Sequence, residues 1–150
     1  MLTEKEAIES KTSRYEGQYL SLDYPSAWIV DEHPNTQTAD VWITQRDHAF
    51  GVWLFRFEKE DGISFEEAMT SIASNWREVA EVDMNYEQVN NVKWCKHDIR
   101  MSMQGQEGRQ VSFYCQNGNY IYNVKFGNSS KEVERNLATI DDIMASVKLK

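Results

Sequence analysis

The chain has 150 residues, and its net charge of −8 with scattered basic residues repels phosphate backbones, which disfavours nucleic acid as a partner. Hydrophobic residues at 41%, with five Trp, seven Tyr and six Phe, argue against disorder and for one domain that buries a sizeable core. No apolar run approaches the ~20 residues of a bilayer span, and two cysteines are too few for a disulfide scaffold.

The opening "MLTEKEAIESK" has neither an apolar core nor a small-residue cleavage site, so it does not read as an export signal. As written the chain suits the cytoplasm; it suits an exported protein or a lipoprotein if a signal has been trimmed. Thr3 and Glu6 have capping-box spacing, which predicts a short helix or a tail over residues 1–16, ahead of a domain spanning 17–150.

From Gly17 the period changes to two, with Leu20, Leu22 and Tyr24 on one face. Pro25 ends that strand because it lacks an N–H and holds Tyr24 extended, and "WIV" at 28–30 starts another. The polar stretch 31–39 is a loop, followed by strands at 40–46 and 50–58 around a tight "DHA" connection. In the second of these Phe50, Val52 and Leu54 alternate with Trp53, Phe55 and Phe57, so both faces are apolar and the strand belongs in the middle of a covered sheet.

Residues 64–82 predict a long helix with Ser64 as N-cap and Glu67 completing the capping box. Its apolar stripe runs Phe65, Ala68, Met69, Ile72, Ala73, Trp76, Val79, Ala80. A short strand at 86–89 is followed by a long one at 92–104 and strands at 109–117 and 119–127, these last three forming a meander with turns at Gly105/Gly108 and Asn117-Gly118. Ser129 and Glu132 cap a terminal helix whose stripe is Val133, Leu137, Ile140, Ile143, Met144 and Val147. The expectation is a single α+β domain in which a largely antiparallel, twisted sheet is sandwiched by two main helices.

The chemistry-bearing residues are sparse. Of the three histidines, His33 and His48 fall in loops and His97 alternates with Cys95 and Ile99 on a core face, so no zinc-ligand spacing arises. Cys95 and His97, at i and i+2 on a strand, stand roughly 7 Å apart, too far for a nucleophile and its base, and no third residue orients the imidazole. Whether Cys95 and Cys115 share a face depends on hairpin register: a turn centred on Gly105 puts them opposite each other, one nearer Glu107 does not. Reduced thiols are the expectation. Counting back from Gly62, "EKED" at 58–61 fails as a calcium loop because Phe57 occupies the first ligand position. "NSS" at 128–130 is a formal glycosylation sequon whose serines serve better as helix caps. No motif asks for a cofactor or metal.

The remaining candidate is aromatic. Trp94 shares a strand face with Lys96, Asp98 and Arg100, and Tyr114 lies on the neighbouring strand with Ser112 and Gln116. With Trp42 these form a candidate protein-binding platform, Trp94, Tyr114, Trp42 and Arg100, since exposed aromatics beside Arg are typical of interface hot spots. Core packing of the same aromatics is the competing reading.

"YLSLDYPSAWIV", "GISFEEAMTSIASNW", "NYIYNVKFGNSSKEVE" and "IDDIMASVKL" together resemble the PsbP-like fold, shared by PsbP of photosystem II, the Ran-binding Mog family and bacterial DcrB-like proteins. The resemblance covers residues 17–149 and implies an α/β/α domain that acts as a docking or assembly module. It carries over no Ran-binding surface and no PsbP N-terminal arm. The functional expectation is a non-enzymatic module that binds another protein. The alternatives are a DcrB-like chaperone or adaptor for apolar client segments, and a small-molecule binder or enzyme with a Cys/His site.

Overall fold

A computed structural model describes residues 11–32 and 41–150. The expected helix at the start and His33 lie outside these residues. Thr12–Glu16, which the sequence reading places in the N-terminal helix or tail, form strand β1 and pair antiparallel with β2 (Leu20–Pro25). Pro25 does end β2, and Trp28 folds back under the corner: its N–H donates to the Pro25 carbonyl at 2.9 Å and its ring meets Phe50 edge-on at 5.8 Å.

The remaining strands are β3 (Ile29–Asp31), β4 (Val41–Thr44), β5 (Gly51–Glu58), β6 (Glu81–Val89), β7 (Val92–Met103), β8 (Gln106–Asn117), β9 (Tyr120–Ser129) and β10 (Lys148–Leu149). They form a seven-stranded sheet in the order β3-β4-β5-β9-β8-β7-β6 and a three-stranded sheet β1-β2-β10. β5 is internal, as its two apolar faces require. Gly51 allows β4 to approach it: a Cβ there would stand 2.6 Å from Thr44 Cγ2 and 2.7 Å from the Ile43 carbonyl oxygen.

Helix α1 (Phe65–Arg77) has the predicted capping box, with Ser64 Oγ accepting from Glu67 N–H at 3.0 Å and Glu67 accepting from Ser64 N–H at 3.3 Å. It stops at Arg77, short of the expected end, and Val79 is 73% exposed. The reason is competition. "EVDMNYEQV" also alternates with period two, and Glu81–Val89 gains nine ladder pairs with β7, which outweighs one more helical turn. The β6–β7 turn uses Asn90 and Asn91, both at positive φ (51° and 63°), the backbone a two-residue hairpin favours.

The terminal helix is also corrected. It divides into α2 (Ser130–Arg135) and α3 (Leu137–Ser146), because Asn136 leaves the helical region at φ −110° and turns its Nδ2 onto the Glu132 carbonyl at 2.7 Å. The break rotates Leu137 out to 42% exposure, while Val133, Ile140, Ile143, Met144 and Val147 stay buried as expected.

Three layers result, bearing out the α+β sandwich. On one face of the large sheet, α2, α3 and β2 enclose the main core, with Leu22, Ile43, Val52, Val124, Phe126 and Ile143 almost wholly buried. On the other face α1 covers a smaller cluster of Phe65, Ala68, Met69, Cys95, Tyr114 and Ile121. No helix among the described residues is long and apolar enough to cross a membrane.

Candidate binding face

The β7–β8 hairpin decides where the predicted platform residues go. Its turn is the two-residue Gln104-Gly105 step, both at positive φ (53° and 78°), closed by Met103 opposite Gln106. Gly108, expected in the turn, lies in β8 opposite Met101. The centre therefore falls half a residue before Gly105, so Cys95 opposes Tyr114. Trp94 and Tyr114 consequently face opposite sides of the sheet. Trp94 is 1% exposed in the main core and Tyr114 is 5% exposed under α1, so the proposed platform does not form. Arg100 is exposed and stands 3.9 Å from Asp98, whose carboxylate is held chiefly by Arg109 through two bonds of 2.9 and 2.7 Å. The Asp98 carboxylate raises the Arg109 guanidinium above its ordinary value.

The same half-residue offset puts Cys95 and Cys115 on opposite faces as free thiols, matching the expectation of reduced cysteines. Burial pushes Cys95 up to about 11 and Cys115 to about 12, so both stay protonated near neutral pH. His97 is fully buried with no partner on either ring nitrogen among the described residues, and burial lowers it to about 4. Cys95 and His97 thus do not assemble into a nucleophile and base. His48 stacks on Trp42 at 5.0 Å and has its Nδ1 3.1 Å from Thr44 Oγ1. No group of three or more metal-ligating side chains occurs among the described residues.

The fourth candidate, Trp42, leads to an aromatic surface that the sequence reading placed in the wrong strands. Trp42 pairs with Trp53 across β4–β5, and their rings stack at 5.6 Å with 16° between planes. Phe55 and Phe57 continue the row along β5, half-buried and 40% exposed respectively. Helix α1 crosses the other half of this face, above β7 and β8, and among the described residues nothing layers over the row. Ile72 and Trp76 of α1 and Phe55 and Phe57 of β5 form the walls of an open cleft of about 450 Å³, with Asn123 and Lys125 of β9 also lining it.

The polar groups of this cleft are unusual for a surface. Lys125 has no ion-pair partner among the described residues; its Nζ stands 5.4 Å from the Phe55 ring centre and 5.9 Å from that of Trp53. Desolvation lowers its pKa below the ordinary lysine value. Asn123 is 8% exposed, and its Oδ1 accepts no hydrogen bond from the described residues, a state that costs a buried polar group about 1–3 kcal/mol. A second cleft, about 320 Å³, opens on the opposite face beside Tyr19 and Arg56. There the Arg56 guanidinium is already engaged, 3.5 Å from the Tyr19 ring centre and 4.0 Å from that of Tyr120.

Trp53, Phe55 and Phe57 were legible in the sequence as the second apolar face of a central strand. What the sequence did not show is that α1 leaves that face open.

No family model and no curated protein sequence matches the chain. Solved structures do. Cyanobacterial PsbP (CyanoP) from Synechocystis sp. PCC 6803 is similar at a TM-score of 0.66 and 10% identity, over 93% of this chain and 92% of that one. LpqN, involved in cell envelope biogenesis of Mycobacterium tuberculosis, is similar at 0.63 and 9% identity over 99% and 98%. PA94, a Pseudomonas aeruginosa protein of unknown function, is similar at 0.59 and 9% identity over 89% and 94%. On these similarities the chain has the PsbP-like fold.

Proposed function

We propose that this domain is a non-catalytic binding module that docks a segment of a partner protein in the cleft between α1 and β5. The observation that carries this reading is the half-covered sheet face: Trp53, Phe55 and Phe57 form a row of aromatic surface beside α1 with no layer of the described residues over it. Aromatic side chains held rigid by a sheet contribute large contact area at low entropic cost, which is why interfaces favour them. A cleft of about 450 Å³ admits a few side chains, which favours a short docked segment over the sheltering of a whole client helix.

The test is affinity purification of the tagged full chain from its own host beside a Phe55→Ala/Phe57→Ala variant whose near-ultraviolet circular dichroism shows it folded. A partner that is retained by the native chain, rebinds as a purified protein and is lost by the variant supports the reading. A partner retained equally by both places its contact elsewhere and sinks it.

A further inference from the structure

The cleft holds a cation that no acidic side chain among the described residues neutralises. The chain carries a net charge of −8, yet no acidic side chain among the described residues pairs with Lys125, whose ammonium lies against the Trp53 and Phe55 rings. Two residues back on the same face of β9, Asn123 presents a buried carboxamide whose oxygen has no donor among the described residues. A desolvated ammonium calls for an anion, a bare carboxamide oxygen calls for an N–H, and the two Cα positions are only about 7 Å apart. Phe55, Ile72 and Trp76 form an apolar wall beside them.

The last residue of a polypeptide supplies all three complements. We infer that the cleft captures the C-terminal residue of the partner chain, its carboxylate on Lys125, its backbone N–H towards Asn123 Oδ1, and an aromatic or aliphatic side chain between Phe55 and Trp76. This rests on the docking reading above and specifies the occupant. An internal apolar segment would leave the Lys125 charge without a counter-ion, and a carboxylate lacking an adjacent N–H would leave Asn123 unpartnered.

The experiment is a titration of the ¹⁵N-labelled full chain, following amide shifts, with three probes: N-acetyl-phenylalanine, its primary amide, and 3-phenylpropionate, which keeps the carboxylate and lacks the N–H. Expected are shifts centred on Phe55, Trp76, Asn123 and Lys125 with N-acetyl-phenylalanine. The amide should bind roughly tenfold more weakly, as loss of a charge-assisted hydrogen bond implies, and 3-phenylpropionate should bind several-fold more weakly. Lys125→Met should abolish the preference for acid over amide, and Lys125→Arg should retain it. If Lys125→Met fails to fold, the acid-against-amide comparison on the native chain still decides.

N-acetyl-Ala-Ala-Phe should bind at least as tightly as the single residue. Its rejection would overturn capture of a chain terminus in favour of a free N-acyl amino acid. Equal binding of acid and amide would overturn the anchor while leaving the docking reading to its own Phe55/Phe57 test. Absence of shifts at millimolar probe, or shifts confined to another face, would also overturn it.

Discussion

His97 is fully buried, stands 5.0 Å from the Tyr114 ring centre, and has no hydrogen-bond partner on either ring nitrogen among the described residues. Its neutral form fits that site and its cation does not, which is why burial lowers it from 6.5 to about 4. In the unfolded chain the imidazole regains its ordinary value, so between these pH values the unfolded state binds more protons. The stability tied to neutral His97 is therefore complete above about pH 6.5 and declines as pH falls towards about 4, by on the order of 3 kcal/mol. His97→Phe is expected to flatten that dependence: urea midpoints at pH 7.5 and 4.5 should differ less in the variant than in the native chain. Equal pH slopes in the two would remove His97 as the cause. That His97 faces a core was legible from its alternation with Cys95 and Ile99. The fates of Trp94 and Tyr114 were not, because they depend on a half-residue offset in a turn that fits two registers.

Strands β7 and β8 are joined across their faces by Asp98 and Arg109, whose side chains are only 14% and 12% exposed. Removing one charge leaves the other partly buried and unpaired, so Asp98→Asn is expected to cost about 3 kcal/mol in denaturant unfolding. A loss below about 0.5 kcal/mol would show that the pair behaves as a surface contact. Helix α1 offers a paired comparison. Ser64→Ala removes its cap and is expected to cost about 1 kcal/mol, whereas Val79→Lys, beyond the end at Arg77 and 73% exposed, should change stability by less than about 0.5 kcal/mol. A large loss on Val79→Lys would restore the longer helix that its apolar stripe suggested. Helix starts were legible here because caps are local chemistry. Helix ends were not, because "VAEV" satisfies both periods and the choice is made by pairing with β7, a segment further along the chain.

At the scale of the whole molecule, the sandwich was written in the two apolar faces of β5 and the stripes of the helices. Which half of the sheet stays open was not, since that follows from where α1 crosses. The small sheet adds a dependence of another kind. β10 pairs Lys148 with Ser21 and Leu149 with Leu20, the Lys150 N–H donates to the Tyr19 carbonyl at 2.9 Å, and the Asp23 N–H donates to Ser146 Oγ at 2.7 Å. The β1–β2 hairpin is thus tied down by residues synthesised more than a hundred positions later. On the ribosome, β1 and β2 must wait with one edge unmatched until that last segment has left the exit tunnel. A nascent chain stalled before residue 146 has emerged is expected to exchange its amides over residues 12–25 rapidly and to be cut there by protease, and release of the full chain should protect them together. Protection of that hairpin in the stalled chain would show that it closes without β10.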